Sequence, residues 1–188
     1  MKEIKFDNNK FDTSLYDTKI IYCITCNKYW DGGYKPDANL SEKSEFYNIA
    51  NQFSSIVKSL VSTLNDVLII GDKISETGSM FQHWKDLKKY DAFNNLSDYI
   101  KKKHYYSLSL PHDNNIIDYI IENNFRYLTS IDFYLPKNKI IIQPTCHTEI
   151  FIYSKNYDKL IPIIEKTIEN YPEISLKQYK NNWNENNI

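Results

Sequence analysis

Between residues 46 and 64 the apolar side chains return at steps of three and one. Phe46, Ile49, Ala50, Phe53, Ile56, Val57, Leu60, Val61 and Leu64 fall on one side of a 3.6-residue turn, which predicts a helix over 44–64 with one buried face. Ser41 and Ser44 are its candidate N-caps. The same period predicts short helices around Met80, Phe81, Trp84 and Leu87, and around Phe93, Leu96, Tyr99 and Ile100 with Asp91 as a cap. Another helix carries Ile116, Ile117, Ile120 and Ile121, with Asp113 or Asn114 to cap it. A last one carries Tyr157, Leu160, Ile161, Ile164, Ile168 and Tyr171. Pro162 belongs in a first turn, which moves the start of that helix to 160–161.

Elsewhere the period is two. Residues 1–7 suit a short edge strand, and "TKIIYCITCNKYW" (18–30) a strand of mixed burial. "DVLIIGD" (66–72) reads as a buried strand ended by Gly71, and "YYSLSL" (105–110) as a strand stopped by Pro111. In "YLTSIDFYL" (127–135), Ile131, Phe133 and Leu135 share one face while Asp132 and Tyr134 take the other. "PKNK" then has the length and chemistry of a hairpin turn into the strands of 139–155. Three successive strands with tight joins make an antiparallel meander. The expected fold is therefore a single α+β domain over 1–175, mainly antiparallel sheet with a C-terminal three-strand meander and helices packed on one face. Residues 176–188 are polar and read as a tail, with Trp183 able to pin it.

Composition narrows the function classes. The chain has 188 residues, long enough for a core without disulfides or metal. Its formal net charge is −1, and Arg126 is its one arginine, so neither a nucleic-acid backbone nor a phosphate clamp is favoured as a partner. No run reaches the roughly 18–20 apolar residues of a membrane span, and "MKEIKFDNNKFD" has no apolar signal core. The expected compartment is the cytoplasm, with no membrane partner. Three cysteines are an odd number and too few for a disulfide framework.

Candidate chemistry is sparse. Cys23 and Cys26 form a lone C-x-x-C inside a strand-like run, where positions three apart face opposite sides, so they read as small buried hydrophobes. Zinc would need two further ligands, and only Cys146 with His147 offers them. In "QPTCHTE", neighbouring strand side chains diverge, so Cys146–His147 reads as a strand join after Pro144, with Thr145 to Thr148 forming the turn; a base for Cys146 would have to come from His83, His104 or His112. Asp72, Glu76, Asp132 and Glu149 could supply carboxylates, but no spacing links them among 24 acids. "GDKISETGS" lacks the Gly-Lys-Ser/Thr ending of a phosphate loop. The sequence thus offers no catalytic residue, no metal ligand and no cofactor.

The loop "NKYWDGGYKP" stands out instead. Tyr29, Trp30 and Tyr34 flank a Gly-Gly turn, and tyrosine and tryptophan are the residue types that anchor protein interfaces. The bland alternative is a lid folded onto the core. With 16 tyrosines in the chain, not all of them can be buried.

In layout, residues 18–171 resemble a family of small bacterial α+β domains found beside polymorphic toxins. The resemblance runs through "TKIIYCI", the helix leading into "NDVLIIGD", "YYSLSL", and "SIDFYLPKNKIIIQPTCHTEIFIYSKNYDKLIPII". At the late turn the family carries an acidic pair, an Arg and a Gly, where this chain has Thr145, Cys146, His147 and Thr148. The resemblance implies binding or immunity and carries over no site residue. The expected function is a binding or inhibitor protein acting by direct contact with another protein, a toxin or defence effector, through Tyr29, Trp30 and Tyr34. The alternative is a small hydrolase whose His, Cys and carboxylates converge in a pocket.

Overall fold

A computed structural model describes residues 12–35, 37–65, 68–72, 105–109, 115–127 and 130–180. The edge strand expected at 1–7, the helices expected between 80 and 100, the caps at Asp113 and Asn114, and Glu76 and Trp183 lie outside the described residues, as do His83, His104 and His112.

The helical period at 46–64 gives α1, Leu40–Leu64. Its N-cap is Asn39, not Ser41 or Ser44. The Asn39 side chain accepts from the Glu42 N–H at 3.0 Å, and the Glu42 carboxylate accepts from the Asn39 N–H at 3.0 Å. Periodicity could not find this start, because the first turn has no buried apolar position and is held by capping alone. At the other end Asn65 takes a left-handed conformation, and Asn138 donates to the last carbonyl, Leu64 O, at 3.1 Å. The shorter helices are α2, Asn115–Phe125, and α3, Ile161–Ile168, the latter with Pro162 in its first turn.

Among the described residues seven strands form one sheet: β1 (Ile20–Cys26), β2 (Leu68–Asp72), β3 (Tyr105–Ser109), β4 (Ile131–Leu135), β5 (Ile140–Thr145), β6 (Glu149–Ser154) and β7 (Ile174–Lys180). Their order is β3-β2-β4-β5-β6-β1-β7, and each neighbouring pair is antiparallel. The expected meander is β4-β5-β6. Two boundaries differ from expectation: β2 runs through Gly71 to Asp72, and Pro144 and Thr145 still pair with Ile150 and Glu149, leaving 146–148 as the turn. The polar tail expected from residue 176 is also corrected. Ile174–Lys180 pairs along the whole of β1 as β7. It was hidden because a strand with one neighbour among the described residues keeps its polar side chains in water and shows little apolar alternation.

The described helices all pack on one face of the sheet. Phe46, Phe53, Ile56 and Leu60 of α1, Ile117, Ile120 and Phe125 of α2, and Ile164 of α3 meet Ile24, Ile131, Phe133, Leu135, Ile142, Ile150 and Ile152. Phe53 and Phe125 pack edge to face at 5.2 Å. None of the described helices is long and apolar enough to cross a membrane. The opposite face holds a smaller cluster of Leu15, Ile21, Tyr134, Ile141 and Tyr153. There the Tyr16 hydroxyl donates to Asp132, Gln143 donates to the same carboxylate at 3.1 Å, and Tyr153 donates to Gln143 at 2.9 Å. Desolvation pushes the Asp132 carboxyl up to about 6, against the two hydrogen bonds that lower it.

Two outcomes follow. Leu60 is fully buried, so Leu60→Ala should cost about 2–5 kcal/mol in denaturant melts; an unchanged midpoint would contradict the packing. Asp132 has a folded pKa above its unfolded one, so its contribution to stability is full below about pH 4 and is lost as pH rises through about 6. Asp132→Asn should remove a pH-dependent loss of roughly 2–3 kcal/mol between about pH 4 and 7. A wild-type stability–pH curve that the substitution leaves unchanged would contradict the burial of this carboxyl.

Candidate functional site

Antiparallel pairing brings three distant segments to one end of the sheet. They are the loop leaving β1, the turn after α2, and the β5–β6 turn. Three backbone features fix the loop. Gly32 N donates to Cys146 O at 2.8 Å, and Thr148 Oγ1 donates to Trp30 O at 3.1 Å. Gly32 and Gly33 both take positive φ, 72° and 82°. A Cβ on Gly32 would lie 2.6 Å from the Tyr127 ring, and one on Gly33 would lie 3.0 Å from the Arg126 side chain. The double glycine therefore lets the loop press directly on the turn after α2.

Beneath the loop, buried Asn124 donates to Ile131 O at 2.8 Å and Pro144 O at 3.0 Å, tying the end of α2 to β4 and β5. Two residues on, Arg126 is buried. Its Nη1 sits 3.5 Å from the Glu122 carboxylate, and its guanidinium lies 4.9 Å over the Tyr34 ring. The one arginine of the chain thus braces the loop from inside.

The structure separates the three aromatic residues singled out in the sequence. Trp30 is 8% exposed and packs edge to face on Phe46. Tyr34 is half-buried between Phe46, Arg126 and Tyr47, its hydroxyl 3.0 Å from that of Tyr47. These two form the lid of the bland alternative. Tyr29 is different: it is 65% exposed and lies parallel on the His147 ring, centroids 5.5 Å apart and planes at 16°.

His147 is the residue that sequence reasoning set aside, because side chains adjacent on a strand diverge. Residues 146–148 form a turn, within the join expected at 145–148, and there both Cys146 and His147 reach Tyr127. His147 Nδ1 is met by Tyr29 Oη at 2.7 Å and by Asp31 Oδ1 at 3.3 Å. The Tyr127 hydroxyl donates to the same Asp31 oxygen at 3.0 Å. Hydrogen bonds to Cys146 and Asp31 hold the Tyr127 phenol well above its ordinary pKa. The result is an exposed corner of three rings, Tyr29, His147 and Tyr127, around one carboxylate. Thr148 closes the turn at φ 58°, a conformation a β-branched residue rarely adopts, and is held there by its bond to Trp30 O.

The remaining candidates do not join this corner into a metal centre. Among the described residues no group of three or more His, Cys, Asp or Glu could hold a metal ion. Cys23 is buried, and desolvation, then the Glu149 charge, pushes its thiol up, the opposite of the lowered thiol of redox pairs. Cys26 faces the other side of β1 and contacts the Lys28 carbonyl at 2.6 Å. Asp132 lies in its own hydrogen-bonded network on the face away from the helices, and Glu149 meets Thr25 at 3.4 Å.

Trp30→Ala should destabilise the fold by roughly 3–5 kcal/mol, since it empties a core position. Gly32→Ala should also destabilise, because left-handed φ and the Tyr127 ring both oppose a Cβ. Urea melts that leave both variants at the wild-type midpoint would contradict the loop geometry. No family model, curated protein or solved structure matches the chain, so no relative assigns a role to these side chains.

Proposed function

We propose that the protein acts by direct contact with another protein, and that the corner of Tyr29, Asp31, Tyr127 and His147 is the contact surface. The observation that carries this is Tyr29: a large aromatic side chain, 65% exposed, held against a second ring on a braced loop. A rigid exposed aromatic loses little conformational entropy when a partner covers it, which makes such residues interface anchors. Tyr127, 43% exposed, extends the same patch. Trp30 and Tyr34 serve by holding the loop. The sequence's resemblance in layout to domains found beside polymorphic toxins favours a finer reading: a cytoplasmic inhibitor of immunity or anti-defence type, whose partner is a toxin or defence effector.

One observation favours a second reading. Asp31 beside His147 Nδ1 is an arrangement in which a carboxylate orients an imidazole, so that Nε2 could act as a general base. In a hydrolase of this kind, Asp31 and His147 would carry the chemistry and Tyr29 would only line the approach.

The two readings part on single variants. With a partner identified by affinity capture, Tyr29→Ala should weaken binding about 30- to 1000-fold in calorimetry at an unchanged melting temperature. His147→Ala should weaken it less, through lost support of the Tyr29 ring. Unaltered affinity in Tyr29→Ala would contradict the interface, and hydrolytic activity abolished by His147→Ala but kept in Tyr29→Ala would establish the second reading.

A further inference from the structure

The aromatic corner holds a negative charge that no fixed cation neutralises. Asp31 lies at its centre with its side chain 61% exposed. Among the described residues no lysine or arginine pairs with it. Two basic side chains of neighbouring segments are already engaged. Lys28 pairs with Glu45 and lies 4.5 Å over the Trp30 ring, while Arg126 is buried against Glu122. Desolvation first, then Asp31 and further charges that include Glu149, raise the Tyr29 phenol above its ordinary pKa. Around this carboxylate stand Tyr29, parallel to His147, and Tyr127, nearly perpendicular to it at 84° with centroids 6.3 Å apart. The faces of such rings are themselves negative, and cations dock on them.

We infer that the corner receives a cationic side chain of the partner protein, a lysine or arginine, over the exposed tyrosine rings with Asp31 as its counter-ion. This rests on the reading of the corner as an interface and adds the charge of what enters it. The other classes of side chain fit worse. An acidic one would meet Asp31 and the ring faces with like charge. An apolar one would cover the carboxylate without pairing it, leaving a desolvated charge uncompensated. The Tyr127 hydroxyl already donates to Asp31, so the carboxylate stands ready for a partner without a side-chain search.

The test uses the full chain labelled with nitrogen-15 and three blocked tripeptides carrying arginine, lysine or glutamate between two glycines, at low salt. The arginine and lysine peptides should give saturable amide shifts at Tyr29, Asp31, Tyr127 and His147, weakened by raising the salt; the glutamate peptide should give none. Asp31→Asn keeps the acceptor for Tyr127 and removes the charge. It should weaken both the peptide response and partner binding by about tenfold or more, at an unchanged melting temperature. Equal response to the glutamate peptide, no response to any peptide, or full response in Asp31→Asn would overturn the inference. If Tyr29→Ala weakens the partner but Asp31→Asn does not, the corner is an interface for a neutral group. If neither variant changes partner binding, the interface reading itself fails.

Discussion

Thr25 of β1 pairs with Glu149 of β6, 124 residues further along the chain, and the site exists because of that pairing. It sets the end of β1 beside the start of β6. The loop leaving β1 then has one place to go, across the β5–β6 turn. Gly32 N meets Cys146 O, Trp30 O meets Thr148, and the Gly-Gly turn lies close enough to the end of α2 that a side chain would not fit. Shift the register by one residue and Ile24, now in the helix-side core, would turn to the opposite face, so the hydrophobic pattern that builds the core also fixes the site.

Two costs are concentrated at this end of the sheet. Thr148 occupies left-handed backbone space, and Glu122 and Arg126 form a buried ion pair whose solvation is lost. Each is offset by a contact that also holds the loop: the Thr148 hydroxyl on Trp30 O, and the guanidinium on Tyr34. The packing between loop, α2 and turn thus supplies a rigid base, and Tyr29 and Tyr127 project from it. Rigidity under exposed aromatics is what a binding surface needs, because ordering at the moment of association subtracts from affinity.

Much of the fold was legible in the sequence. The α1 face, the β4 alternation and the "PKNK" hairpin follow directly from periods of 3.6 and two, because each buries one side of a regular element. What escaped was decided by polar chemistry or by long-range pairing. The Asn39–Glu42 capping box precedes the first buried apolar position, and β7 shows its strand nature only against β1. The site was half legible. The aromatic loop stood out by residue type, but its three members part ways on burial, which no local pattern encodes. His147 was missed because a turn at 145–148 reads only as a strand join; nothing local in it shows that the loop leaving β1 comes to meet it. Asp31 gave no signal; only the Gly32 turn and Tyr127 bring its carboxylate to His147.

The claim that the corner around Tyr29 is where another protein docks is tested most directly by placing a photo-crosslinking amino acid at position 29, with the same group at Ser62 on the exposed side of α1 as the control. Irradiation in whole lysate of the cells that make the protein should give one discrete covalent adduct from position 29, competed by unlabelled wild-type protein, and none from position 62. An adduct from position 62 alone, or equal adducts from both, would contradict the account.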